Sequence, residues 1–153
     1  MRLVELTVNG RRHQVPAEDD DLLLDVLREK VGTTSVREGC GVGACGACTV
    51  LVDGRSVSSC LARAVRFEGC SIQTADGLPE GDPVVSAFVE CGAMQCGYCT
   101  PGMVLMTHEL LDENPSPDRE QIKAHLEGNL CRCGSYPQIC EAVSKAAGDR
   151  CPS

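Results

Sequence analysis

Eight of the twelve cysteines in this chain fall into two groups of four. In the first group, four residues separate Cys40 from Cys45, two separate Cys45 from Cys48, and Cys60 follows farther along the chain. This is the spacing of plant-type [2Fe–2S] ligation. The second group has cluster-like spacing too, so the sequence predicts two iron–sulfur sites and one-electron chemistry.

The second group consists of two close pairs of cysteines, Cys96 with Cys99 and Cys131 with Cys133. Zinc is the main chemical alternative for such a group, because two Cys-x2-Cys pairs are the usual zinc signature. Here the first group follows a different spacing, and the second closes with a single residue between its last two cysteines. These departures favour iron–sulfur clusters over zinc at both sites.

The segment from Gly39 to Cys48 is rich in glycine and must wrap three sulfurs around a small cluster. Glycine tolerates the positive φ angles and the close backbone approach that such wrapping needs. The same wrapping directs backbone N–H groups at the sulfurs, where hydrogen bonds stabilise the reduced cluster and tune its potential.

Length and charge narrow the class of protein further. A chain of 153 residues forms one domain or two small ones. The formal charge is −8, with no basic stripe, so nucleic acid is not an expected partner. Neither a signal peptide nor an apolar run of membrane-spanning length is present, which predicts a cytoplasmic location where disulfides are disfavoured.

The first half reads as two hairpins with a helix between them. Asn9-Gly10 and Asp53-Gly54 each lie between β-rich runs and are strong hairpin signals. The apolar run from Leu22 to Arg28 follows several aspartates, which indicates a helix beginning, and Gly32 ends that helix. We therefore predict an α+β protein whose residues 1–76 form a β-grasp, ferredoxin-like domain.

The second half reads as helical. Residues 77–83 form a linker by their proline, glycine and acid content. Residues 84–153 then form a small helical domain holding the second cluster, with Ser116 expected to cap its third helix ahead of Pro117. The four predicted helices cover residues 84–92, 103–111, 117–126 and 138–147.

The motifs of the second half carry a resemblance to a known family. The segments from Gln95 to Met103 and from Gly128 to Cys133, together with the loop from Glu38 to Thr49, resemble the iron–sulfur subunit of molybdenum hydroxylases. This is the family of xanthine dehydrogenase, aldehyde oxidoreductase and carbon monoxide dehydrogenase. The resemblance implies a β-grasp domain followed by a four-helix [2Fe–2S] domain, and two cluster ligand sets: Cys40, Cys45, Cys48 and Cys60; and Cys96, Cys99, Cys131 and Cys133.

The resemblance also implies partners and a direction of electron flow. The helical-domain cluster is expected next to a molybdopterin on a large catalytic subunit, with Gln95 and Cys133 contacting the pterin. The ferredoxin-like cluster is expected nearer to an FAD subunit or an external acceptor. The segment Gly134-Ser135-Tyr136 resembles members that oxidise N-heteroaromatics or aldehydes, some of which lack the flavin subunit and pass electrons to a cytochrome, so both acceptors stay open.

Four further cysteines lie outside the two groups, and we interpret them as small buried hydrophobes or free thiols rather than additional ligands: Cys70, Cys91, Cys140 and Cys151. Two other classes of protein remain as alternatives. One is a free-standing two-cluster electron carrier, and the other is a zinc-stabilised interaction module.

Overall fold

A computed structural model of the chain describes residues 1–150, with the side chains of residues 1–148. Its N-terminal part is a five-stranded mixed sheet with strand order β2-β1-β5-β3-β4. The pair β1 and β5 is parallel, whereas the other neighbouring strands are antiparallel. The strands are β1 (Arg2–Val8), β2 (Arg11–Ala17), β3 (Thr49–Val52), β4 (Arg55–Ser58) and β5 (Ser71–Gln73).

Both predicted hairpins are present. Asn9 and Gly10 join β1 to β2 with φ angles of 52° and 77°, and Asp53 and Gly54 join β3 to β4 with 48° and 82°. Two consecutive residues with positive φ are the requirement of a tight hairpin turn whose twist matches the strands. The Asn-Gly and Asp-Gly pairs are therefore the residues that fix the register of these two hairpins.

The helical segment after β2 begins and ends close to the predicted positions, but its form differs. A short α1 (Leu23–Asp25) continues as a π-helix (Val26–Val31), and Gly32 ends it with φ 88°. No aspartate side chain caps it; Asp21 instead lies 2.8 Å from Lys30 and accepts the Glu18 N–H. The segment buries its leucines beneath the sheet in one core with the strands.

Four helices form the second part of the chain and pack around their own apolar core. Arg119, rather than Pro117, begins the third of them, and the predicted cap at Ser116 is wrong. Asp118 is the N-cap because its carboxylate accepts the Gln121 N–H while the Gln121 side chain accepts the Asp118 N–H. The helices are α2 (Pro83–Glu90), α3 (Thr100–Glu113), α4 (Arg119–Leu126) and α5 (Tyr136–Arg150).

Helix α3 joins the two parts. It packs against the β3–β4 hairpin, and the buried carboxylate of Glu109 accepts the Ser56 N–H at 2.7 Å. The same carboxylate lies 3.1 Å from His125 of α4. A sheet with a helical segment followed by four helices agrees with the predicted architecture, whereas the boundaries at residues 76 and 83 stay a prediction.

Candidate metal centres

The first cysteine group lies on the loop between the π-helix and β3, with Cys60 just after β4. Three glycines of this loop have positive φ angles of 68°, 73° and 75°, as the sequence predicts: Gly41, Gly43 and Gly46. A side chain at Gly39 would place its Cβ only 2.6 Å from the Cys45 sulfur. The glycines therefore let the backbone curl around the sulfurs without steric conflict.

Backbone N–H groups point at the first sulfur of the loop. Val42 and Ala44 donate to Cys40 Sγ at 3.4 and 3.2 Å, and these bonds lower the pKa of Cys40 to about 6. Burial instead raises the pKa of Cys60 to about 11, with its contact to Cys48 acting in the same direction. The Cys45 side chain also lowers the pKa of Cys40, and the Cys48 side chain raises that of Cys60, so we refer to Cys40 with Cys45 and Cys48 with Cys60 as interacting pairs.

The second cysteine group brings together two loops of the helical part. Cys96 and Cys99 precede α3, while Cys131 and Cys133 lie between α4 and α5. The Cys133 side chain likewise lowers the pKa of Cys96, and the Cys131 side chain raises that of Cys99, so Cys96 with Cys133 and Cys99 with Cys131 are the corresponding interacting pairs. A two-by-two arrangement of sulfurs therefore recurs in both parts of the molecule.

Hydrogen bonds and burial also shift the thiol pKa values of the second group in opposite directions. The Tyr98 N–H donates to Cys96 Sγ at 3.5 Å and lowers its pKa. Burial opposes ionisation of Cys131, but the Ser135 N–H, the Cys99 side chain and the Cys133 backbone act against it, and together they lower the pKa of Cys131. Burial raises the pKa of Cys99 to about 12. Each group thus has at least one sulfur with a lowered pKa, Cys40 in the first and Cys96 and Cys131 in the second. Each also has one whose pKa burial raises, Cys60 and Cys99 respectively.

This donor set fits a binuclear cluster. A [2Fe–2S] cluster has two irons, and with four cysteines each iron takes two thiolates. The four pairs of sulfurs match that demand, and the N–H groups supply the hydrogen bonds that such sulfurs accept.

The two cysteine groups lie next to each other. The Leu130 N–H, one residue before Cys131, donates to the carbonyl oxygen of Cys45 at 2.9 Å. Asn129, which is buried, donates through Nδ2 to the carbonyl oxygen of Gly46 at 3.2 Å. Sequence spacing gives no signal for these contacts, because they join segments more than eighty residues apart. They place the ligand loops of the two groups in direct backbone contact.

The predicted pterin contacts lie on the outside of the helical part. Gln95 is exposed, and Cys133 is half-buried. Three exposed apolar side chains lie in the same loops: Met94, Tyr98 and Leu130. The structure therefore brings Gln95 close in sequence and space to the second cysteine group and leaves it accessible to another molecule.

The remaining described cysteines lie among apolar residues. Cys140 is buried in the helical core, Cys91 packs against that core, and Cys70 packs against the core of the sheet. Burial raises the pKa of Cys70, with Asp53 adding to the effect. Cys151 lies outside the described residues. These positions agree with the interpretation of Cys70, Cys91 and Cys140 as small packing residues.

The thiol pKa values predict a ranking of chemical reactivity in the metal-free chain. At about pH 7.5, iodoacetamide is expected to alkylate Cys99 at least about tenfold more slowly than Cys40, because thiolate fraction outweighs intrinsic nucleophilicity. Below pH 6 the Cys40 thiolate becomes protonated, so its rate should fall with pH. Peptide mass spectrometry measures both rates, and equal rates at Cys40 and Cys99 would contradict the burial argument.

Comparison with known proteins gives the family. Residues 6–71 match the model of a 2Fe-2S iron-sulfur cluster binding domain, and residues 74–144 match a [2Fe-2S] binding domain. The chain is 46% identical to the nicotinate dehydrogenase small FeS subunit of Eubacterium barkeri, over 97% of this chain and 96% of the relative. It is 44% identical to the nicotine 6-hydroxylase small subunit of Paenarthrobacter nicotinovorans, over 95% and 89%.

A solved structure agrees with these relatives. A chain of quinoline 2-oxidoreductase from Pseudomonas putida 86 superposes with a TM-score of 0.93 at 40% identity, covering 97% of this chain and 94% of that one. A sheet domain and a helical domain, each matching a [2Fe–2S]-binding model, define the class. The chain belongs to the iron–sulfur small subunits of the molybdenum hydroxylase family, and it is an oxidoreductase subunit.

These findings confirm the predicted family, the fold class and the two [2Fe–2S]-binding domains. Within the described part of the chain, every helix is too short or too polar to cross a lipid bilayer. The assignment of individual cysteines as ligands stays a prediction, and we take it up as a proposal below.

Proposed function

We propose that this chain relays electrons from the molybdopterin site of a large catalytic subunit to a flavin subunit or an external acceptor. When bound, each [2Fe–2S] cluster accepts and releases one electron at a time. The observation that carries the proposal is a backbone hydrogen bond between the ligand loops of the two cysteine groups: the Leu130 nitrogen lies 2.9 Å from the carbonyl oxygen of Cys45. A chain with two adjacent one-electron sites is suited to splitting a two-electron oxidation into single steps.

We further propose that the eight paired cysteines are the ligands. In the ferredoxin-like domain Cys40 and Cys45 would hold one iron, and Cys48 and Cys60 the other. In the helical domain the two irons would be held by the remaining pairs, Cys96 with Cys133 and Cys99 with Cys131. The support is the pairing of the sulfurs together with the N–H groups aimed at three of them.

The chain's own residues would set the properties of these sites. Hydrogen bonds from Ala44, Tyr98 and Ser135 to ligand sulfurs favour the more negative, reduced state. Burial of Cys48, Cys60 and Cys131 keeps water away from part of each site. Burial and hydrogen bonding are the protein's main means of tuning cluster potential.

The helical domain is the proposed receiving side. Gln95 is exposed beside Cys96, where its amide can hydrogen-bond a pterin held by the large subunit. Cys133 is half-buried in the same group and is the second proposed contact. Since the relatives named above include nicotinate, nicotine and quinoline oxidoreductases, we propose that the partner hydroxylates an N-heteroaromatic compound.

Metal analysis tests the cluster assignment. The purified chain is expected to contain about four irons and about four acid-labile sulfides, two of each per cluster. The expected visible absorption and the reduced-state electron paramagnetic resonance (EPR) signals should belong to two distinct [2Fe–2S] species. Zinc without sulfide would contradict the proposal and favour an interaction module instead.

Purification tests the relay. The chain should leave the cell bound to a large subunit containing molybdenum, and substrate added to that complex should reduce both clusters. A stable, active monomer without that subunit would instead support a free-standing electron carrier. Mass spectrometry of the co-purifying subunits identifies the acceptor, flavoprotein or cytochrome, at the same time.

A further inference from the structure

Two side chains cross between the cysteine loops in opposite directions. Arg37 lies ahead of Cys40 and donates through one guanidinium nitrogen to the carbonyl oxygens of Gly97 and Tyr98, at 2.5 and 3.1 Å. Tyr98 lies between Cys96 and Cys99, and its hydroxyl donates back to the carbonyl oxygen of Glu38 at 2.5 Å. Each side chain thus binds the backbone of the other's loop.

The same two side chains also contact each other. The Arg37 guanidinium lies over the Tyr98 ring, 5.3 Å from its centroid. A planar guanidinium can stack on an aromatic face while its N–H groups bind carbonyl oxygens, which a lysine ammonium cannot do in the same geometry. The pair is therefore a clamp, defined here as Arg37 and Tyr98 with the carbonyls of Glu38, Gly97 and Tyr98.

The clamp acts on backbone that is continuous with proposed ligands. Gly97 has a φ of 76°, and the Tyr98 N–H that follows it donates to Cys96 Sγ. Holding the carbonyls of Gly97 and Tyr98 therefore fixes the direction of the N–H group at the Cys96 sulfur. Residues 37 and 38 lead into Cys40 within three residues, so the opposite loop is held by the same contacts.

We propose that Arg37 and Tyr98 are positioning residues that fix the spacing and orientation of the two cluster sites relative to each other. This inference rests on the proposed function, since it presumes that both sites hold clusters. Other contacts already join the domains, including Glu109 with Ser56 and Leu130 with Cys45. Loss of the clamp should therefore leave the domains associated and disturb the local geometry between the cysteine loops.

The test uses the intact complex with its large subunit, fully reduced so that both clusters are paramagnetic. Magnetic interaction between two reduced clusters falls steeply with their separation and depends on their orientation. Arg37→Met and Arg37→Lys are both expected to lose the single resolved spin–spin splitting of the wild type, because neither can stack and bind two carbonyls. Tyr98→Phe keeps the ring and loses one hydrogen bond, so its splitting should be broader than that of the wild type but still present.

Measuring the reduction potential of the clusters distinguishes a positioning role of Arg37 from an effect of its charge. Arg37→Met should lower the reduced-to-oxidised ratio of the nearby cluster about threefold at a given potential, the size of a partly exposed charge interaction. Arg37→Lys retains the charge and should keep the wild-type ratio while still losing the splitting. The matched control is Arg66→Met, which removes an exposed arginine of the ferredoxin-like domain and should leave the splitting unchanged.

Unchanged splitting in Arg37→Met and Arg37→Lys would overturn the inference, whether or not the melting temperature of these variants falls. If Arg37→Met fails to assemble, Arg37→Lys and Tyr98→Phe carry the test. A wild-type complex with only one cluster signal would instead overturn the proposed function. The two failures are therefore distinguishable in the same spectra.

Discussion

Replacing Cys96 by serine is expected to abolish electron flow from the molybdenum-containing partner, with a loss of at least about a hundredfold in turnover with the acceptor. Cys96 is paired with Cys133 and receives the Tyr98 N–H, so its sulfur has both neighbours that a ligand needs. Without it, one iron of the proposed helical-domain site would keep a single protein thiolate. Acceptor reduction by the intact complex measures the effect.

Metal content shows whether this loss arises at the expected site. The Cys96→Ser chain should retain about two irons, those of the ferredoxin-like domain, and lose one of the two EPR signals. The matched control is Cys140→Ser, a cysteine buried in the same helical domain outside the paired sulfurs. Full turnover by Cys96→Ser, or equal damage by Cys140→Ser, would contradict the ligand assignment.

Replacing Gly102 by alanine is expected to lower the free energy of unfolding by about 1–3 kcal/mol, as overpacking of a closed contact does. The new Cβ would lie 2.4 Å from the carbonyl oxygen of Gly46 and 3.4 Å from Asn129 Nδ2. Backbone cannot yield as a flexible side chain can, so the loop carrying Cys45 and Cys48 must shift. The general preference of helices for alanine over glycine is overcome by this clash.

Thermal unfolding followed by circular dichroism, together with bleaching of the cluster absorption, measures the Gly102→Ala effect. The midpoint should fall by about 2–12 °C for a chain of this size. Gly128→Ala is the control, because a Cβ there meets no atom within 4 Å and its φ is not in the left-handed region. An equal change in the two variants would show that glycine itself, rather than the close approach, matters.

Short-range chemistry made much of the fold predictable from the sequence. Asn9-Gly10 and Asp53-Gly54 require their turns locally, and Gly32 ends the first helical segment as expected. The cap at Ser116 is wrong for an equally local reason, since the reciprocal bonds of Asp118 and Gln121 outcompete it. The sequence signals predict a helix here but do not distinguish the π-helical form of residues 26–31 from an α-helix.

The candidate site, too, could be predicted from the sequence only in part. Spacing alone indicates the two cysteine groups, because the cysteines within each loop are close in sequence. Which sulfur pairs with which depends on how α3 and α4 pack, and the clamp joins residues 60 positions apart. Arg37 carries no motif that distinguishes it from a surface arginine, so only the three-dimensional arrangement reveals its contacts.

The pairing of sulfurs in the helical domain has a consequence for how the protein matures. Cys96 and Cys99 lie just before α3, while Cys131 and Cys133 follow α4, so a cluster on the proposed ligands would cross-link the two ends of this helical hairpin. Such a cross-link over about 30 residues restricts the unfolded chain as a disulfide would. If the four cysteines hold a cluster, metal insertion would stabilise the closed form of the surface that carries Gln95. Cluster content would then affect how readily the chain assembles with the large subunit.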